Sequence, residues 1–259
     1  MKQDNYSSKT RSLFIKVPEV TAYFWIIKVL STTVGETFAD YLNQTLGLGL
    51  NGTSVIMVLA LVLALIIQFR TARYVPAAYW LVVVLTSITG TLLTDNLTDN
   101  LGISLILSSL VFSVLLAISF ILWFRIEKTL SIHSIDTTRR EIFYWITILL
   151  TFALGTATGD LIAERFAVGF GWSFWLFVVI IAVIGLAFRI GLIGAILAFW
   201  ATYILTRPLG ASIGDYLSQN TNDGGIGLGT TNTSFIFLAI ILSVVIFLSL
   251  TKRDQLERR

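Results

Sequence analysis

The chain has 259 residues, of which 56% are hydrophobic and only 13% charged, with a formal net charge of +3. Soluble domains carry about 25% charged residues, so a water-soluble enzyme is all but excluded, and the mean hydropathy of +0.84 points to lipid as the solvent. With no cysteine, one histidine (His133) and two methionines (Met1 and Met57), disulfides, iron–sulfur clusters and soft-metal sites are excluded too.

In chain order, a polar basic segment, 1–16, comes first and contains no cleavable signal pattern. A first half, 17–125, holds apolar runs at 22–43, 54–69, 77–95 and 102–124. A basic linker, 126–140, leads to a second half, 141–251, with runs at 142–161, 172–188, 190–213 and 233–250, and a basic tail, 252–259, follows. A spanning helix needs about 20 residues, so 54–69 and 172–188 must draw on their flanks. None of the runs alternates like a barrel strand. The expectation is an all-α membrane protein with eight transmembrane helices. Four turns, Gly52-Thr53-Ser54, Gly102-Ile103-Ser104, Gly171-Trp172-Ser173 and Asn232-Thr233-Ser234, are expected to cap the second helix of each pair. Of the 18 Lys and Arg residues, all but Lys28, Arg165 and Arg207 fall on one side of this arrangement. The positive-inside rule then puts both termini in the cytoplasm of a multi-pass protein of the bacterial inner (plasma) membrane. Topology accounts for the basic residues, so no nucleic-acid partner is expected.

The strongest pattern is a repeat. Trp25, Trp80, Trp145 and Trp200 are each followed ten residues later by glycine (Gly35, Gly90, Gly155, Gly210) and fifteen later by aspartate (Asp40, Asp95, Asp160, Asp215). Each unit contains two helices, so the four units point the same way across a bilayer, in two pseudo-symmetric halves. Residues four apart share a helix face. Counting from each tryptophan, position seven is Thr32, Ser87, Phe152 or Arg207; position eleven is Glu36, Thr91, Thr156 or Ala211; position nineteen is Gln44, Asp99, Glu164 or Gln219. Together with the aspartates they form a polar stripe on the first helix of each pair. Lys28, three residues after Trp25, extends it in the first copy. The tryptophans read as packing or interfacial anchors, and the glycines as points of close helix approach. The aspartates read either as site residues or as caps tying down each turn. Glu127, Asp136, Glu141 and His133 read as solvated linker residues.

The segments Val17-Pro18-Glu19-Val20, Gly35-Glu36-Thr37 through Asp40-Tyr41-Leu42, and Thr206-Arg207-Pro208-Leu209-Gly210 resemble an uncharacterised bacterial inner-membrane protein family. Its members are built of four tandem two-helix repeats, each with a tryptophan. The resemblance spans nearly the whole chain; it implies this fold and leaves the function open.

Ionisable groups in a bilayer cost roughly 2.5–3.5 kcal/mol each at mid-depth and usually face a bundle interior. Glu36, Asp40, Thr91, Asp95, Asp99, Thr156, Asp160, Glu164 and Asp215 are therefore the candidate ion- or substrate-binding residues. Asp40, Asp95, Asp160 and Asp215 are the candidate metal ligands, and Lys28 and Arg207 the charge-pairing or coupling groups. Oxygen donors without soft ligands suit hard cations. The expectation is a transporter of such a cation, a divalent metal such as manganese or magnesium, coupled to protons through interior carboxylates. The alternatives are a transporter of a small, anionic organic solute or a non-transporting scaffold or sensor subunit. No cofactor and no enzymatic activity are expected. The partners are the lipid bilayer and a small cation or solute, and a homo-oligomer is compatible with the repeat.

Overall fold

The computed structural model describes residues 15–165 and 169–255, except for the side chains of Glu164, Arg165 and Asp223. The expected basic segment 1–16 and tail 252–259 thus lie largely outside the described residues. Among these there are eight long α-helices and no strand. They are α1 (Ala22–Asp40), α2 (Gly49–Arg70), α3 (Pro76–Asp95), α4 (Leu105–Glu127), α5 (Thr138–Asp160), α6 (Phe170–Arg189), α7 (Ala195–Ser218) and α8 (Thr230–Thr251). Seven of them are long and apolar enough to cross a membrane. The exception is α1, whose 19 residues include Lys28, Glu36, Asp40 and four serine and threonine side chains. The two runs that looked short reach full span length, because α2 starts at Gly49 and α6 at Phe170.

This earlier start corrects the expected caps. Thr53, Ser173 and Thr233 lie inside their helices, and only Ser104 caps as expected, its hydroxyl accepting the Leu107 amide at 3.3 Å. At three of the four positions the chain uses the freedom of glycine instead: Gly49, Gly169 and Gly229, at the starts of α2, α6 and α8, all have positive φ.

The four motif helices close into a ring. α1 packs on α3, α3 on α5, α5 on α7, and α7 back on α1. The other four form an outer layer, and each packs chiefly on the motif helix of the following repeat: α2 on α3, α4 on α5, α6 on α7, α8 on α1. The two-helix repeat is therefore a covalent unit and not a packing unit. Polar bonds hold three of these interfaces, where lipid offers no hydrophobic drive between helices. Asn96 donates to Ser54 at 2.8 Å, Ser119 and Thr147 share a bond of 2.8 Å, and Ser234 donates to Thr37 at 2.8 Å. The outer helices turn mostly apolar, exposed surfaces outward, with Val55, Leu63, Leu110, Val183 and Leu242 among them.

Two features repeat around the ring. The aromatic residue before each tryptophan meets the tryptophan of the next repeat: Phe24–Trp80, Tyr79–Trp145, Tyr144–Trp200 and Phe199–Trp25, with centroids 5.5, 5.5, 6.3 and 5.7 Å apart. Tilted aromatic pairs at this range attract beyond their area burial, and here they make a continuous girdle. Each glycine of the motif receives the position-seven side chain of the next helix. A Cβ on Gly35 would lie 2.0 Å from Ser87 Oγ, on Gly90 2.5 Å from Phe152 Cβ, on Gly155 2.2 Å from Arg207 Cγ, and on Gly210 1.8 Å from Thr32 Oγ1.

The end of the bundle that carries the basic connections is stitched shut. Backbone bonds join Tyr74 to Ile15, Lys16 to Ile135 and Glu19 to Asp254. The linker is packed in, with Ile132 and Ile135 buried. Its carboxylates are not the solvated charges expected, although His133 is exposed: Glu141 is buried and takes Lys16 at 2.7 Å and Gln68 at 3.0 Å, Glu127 is gripped by Arg139 and Arg140, and Asp136 is paired with Arg140. A charge at a membrane-protein end that leaves water needs a partner, and the flanking segments supply one in each case.

Candidate functional site

The polar stripes of the four motif helices meet along the ring axis as stacked layers. In the layer three residues past the tryptophans, Lys28, Val83, Ile148 and Tyr203 are all at most 1% exposed. Among the described residues the Lys28 ammonium has no hydrogen-bond partner, and it lies 4.0 Å from the Phe152 ring centre and 4.2 Å from that of Tyr203. Two ring faces thus do for this cation what a carboxylate does elsewhere.

The next two layers are organised by Arg207, which is fully buried. Its Nη1 donates to the Thr32 carbonyl at 3.1 Å, and its Nη2 faces Glu36 Oε2 at 2.9 Å, Thr156 Oγ1 at 2.7 Å and Thr91 Oγ1. These acceptors come from α1, α5 and α3, so one guanidinium bonds every other helix of the ring. The threonine hydroxyls are aimed for this: Thr91 donates to Ser87 O and Thr156 to Phe152 O in their own helices, which turns their lone pairs toward Arg207. Pro208 follows directly, yet α7 runs through it without a break. From Lys28 to Thr156 the axis is filled with side chains.

Above Glu36 the layer of aspartates opens. Asp40, Asp95, Asp160 and Asp215 are all half-buried. Asp95 interacts electrostatically with Glu36, Asp40, Asp99 and Asp160, so five of the expected carboxylates lie together at this mouth. Asp215 occupies the same level of α7, Asp99 is exposed and accepts from Thr98 at 3.0 Å, and the Glu164 side chain lies outside the described residues. Asp40 accepts from Gln44 at 3.3 Å. Neither Asp40 nor Asp95 hydrogen-bonds to the backbone of the turn that follows it, which disfavours the capping role. Both aspartates, and Asp160, stand where the α-helix passes into a π-helical turn (Tyr41–Thr45, Asn96–Asn100, Leu161–Arg165). Such turns are rare and concentrate at functional positions. Among the described residues no three His, Cys, Asp or Glu side chains are arranged to hold a metal ion. Asp40, Asp95 and Asp160 are neighbours at this mouth.

Two parts of the site were missed in the sequence. Phe152, at position seven, was given no role, and Tyr203, three residues after Trp200, was not considered, yet their ring faces are what meets Lys28. The aromatic girdle was equally visible as Phe24, Tyr79, Tyr144 and Phe199, one residue before every tryptophan.

The profile of a family described as a Repeat of Unknown Function (DUF347) matches four stretches of the chain, residues 23–74, 78–129, 143–190 and 198–254. Each stretch contains one motif helix and the outer helix after it. No curated protein and no solved structure matches the chain.

Proposed function

The chain belongs to this DUF347 family of tandem repeats of unknown function, and we propose that it is an eight-span carrier of a small hard cation in the bacterial inner membrane. The observation that carries the proposal is the convergence of Glu36, Asp40, Asp95, Asp99 and Asp160 at one mouth of a ring whose opposite end is sealed. The basic, sealed end faces the cytoplasm with both termini, by the positive-inside rule. The filled axis favours a carrier that changes conformation over an open pore.

A divalent ion such as magnesium or manganese enters with much of its water. Ions of this kind bind through one or two carboxylates and keep several waters, which fits the neighbouring aspartates. The innermost of these carboxylates is Glu36, already paired with Arg207 at 2.9 Å. The arriving cation competes with Arg207 for it, and Lys28 carries the proton that moves in exchange. An anionic solute fits less well, because Glu36 occupies Arg207 and the entrance is acidic.

The test is flux into proteoliposomes loaded with a metal-sensitive dye, with and without a pH gradient. Wild-type protein should pass manganese or magnesium and respond to the gradient. An Asp95→Asn/Asp160→Asn variant that elutes as folded protein should lose most of the flux, and Lys28→Met should lose the response to the gradient. Absence of flux for every divalent ion, with protein oriented both ways, would leave the scaffold reading standing instead.

A further inference from the structure

The outer layer has a gap. α8 packs on α1 and also touches α7 and α3, whereas α6 stays chiefly on α7. Between α6, α7 and α1, toward the basic end, this leaves an open fissure of about 600 Å³. Its walls are apolar, with Val29, Phe188 and Phe199 among them, and Gly185 forms a bare stretch where a Cβ would meet nothing within 4 Å. The gap explains an asymmetry of the girdle. Trp80, Trp145 and Trp200 are 2–5% exposed, but Trp25, which lines the fissure, is half-buried.

We propose that this fissure is a binding site for one anionic phospholipid, with an acyl chain in the slot and the phosphate at the basic end. Three observations choose this occupant. The slot follows α7 from Ala195 to Leu209, about 21 Å at 1.5 Å per residue, comparable to the half-thickness of a bilayer core of about 15 Å. It opens sideways among lipid-facing residues, beside the exposed Val183 and Leu197. Its basic-end wall is polar, with Ser131 and His133 lining it, and the exposed Lys128 and Arg189 stand within two residues of the lining Leu130 and Phe188. Basic pockets between transmembrane helices at this end of a membrane protein suit anionic headgroups. A narrow slot with exposed basic residues next to its lining fits a chain with a phosphate at its end better than it fits the broad face of a second copy, which needs about 800 Å² per partner.

The site rests on the membrane reading of the fold and not on cation transport, so a null flux result leaves it untouched. The experiment uses the full chain in detergent, titrated with phosphatidylglycerol or with phosphatidylcholine of the same chains, and followed by thermal unfolding and by native mass spectrometry. Phosphatidylglycerol should protect the protein and stay bound, and phosphatidylcholine should do so less. Gly185→Trp should abolish the difference by filling the slot, and Lys128→Gln/Arg189→Gln should erase the preference for the anionic lipid while a lipid still binds. A photoactivatable phosphatidylglycerol, which needs no variant, should label residues 181–188 and 195–209. Equal protection by both lipids, an unchanged response in Gly185→Trp, or labelling confined to other surfaces would overturn the proposal. Dimers linked across the fissure would do the same, in favour of a second copy.

Discussion

Arg207 has no counterpart in the other repeats, where Thr32, Ser87 and Phe152 stand at its position. It draws the position-eleven side chains Glu36, Thr91 and Thr156 into one cluster, and the fourth, Ala211, has no polar atom to compete. Removing one partner of a buried pair leaves a charge with nothing to balance it, at a cost of about 3–5 kcal/mol, whereas removing both is far milder. Arg207→Leu should therefore destabilise the protein by an amount in that range. Glu36→Gln, which keeps an acceptor, should cost about 1–2 kcal/mol. The Arg207→Leu/Glu36→Leu double variant should lose less than the two leucine singles combined. Denaturant unfolding in detergent reads all of these; strict additivity would mean that the pair does not act as a unit. That these residues share an inward stripe was legible from four-residue spacing alone. Which acceptor each cation takes was not, because Arg207 and Glu36 are 171 residues apart in the chain, and Lys28 ended on two ring faces instead of a carboxylate.

At the scale of the element, the motif helix is a device for closing a ring. Its glycine is a hole for the next helix, its aromatic pair a link in the girdle, and its aspartate the end of regular α-geometry in three of four copies. The hole is the most sensitive part. In Gly90→Ala the new Cβ would lie 2.5 Å from Phe152 Cβ and 3.1 Å from the Ala153 backbone nitrogen. The neighbouring helix must shift, and overpacking of this kind costs about 1–3 kcal/mol. Gly185→Ala, with open space around the new methyl, should instead gain up to about 1 kcal/mol from helix propensity. Thermal unfolding of the two variants side by side checks both signs. The invariant glycine was readable as close approach, but its partner was not. The recipient of each side chain is in the preceding repeat, and the outer helices likewise pack on the following one, so folding the chain as four independent hairpins misplaces both.

For the whole molecule, the basic end joins segments that are far apart in sequence: Ile15 to Glu19, the α2–α3 turn, the linker and the tail after α8. The Tyr74 hydroxyl donates to Asp254, and burial raises the pKa of Asp254 above its ordinary value of 3.8 and raises that of the Tyr74 phenol as well. A carboxyl whose pKa is raised by folding stabilises the fold while protonated. That contribution is complete below the unfolded value near 4 and is lost as pH rises through the higher folded value. Asp254→Asn keeps an acceptor for Tyr74 and does not titrate. Its melting temperature relative to wild type should therefore climb as pH is raised from about 4 to about 7. A constant difference over that range would show that Asp254 is not held in this state.

The amino-acid sequence alone determined that the solvent is lipid, that the chain is helical and fourfold, and that the polar faces of its motif helices belong on the inside. These follow from composition and from periods of 3.6 residues and one repeat, which are local quantities. Only the tertiary structure decided that the motif helices close into a ring with each outer helix on the next repeat. The same holds for the pairing of Arg207 with Glu36 and not an aspartate, and for the fissure left open beside Trp25. Those outcomes depend on which surfaces meet through space, and four nearly equivalent stripes offer several pairings that spacing along the chain does not distinguish.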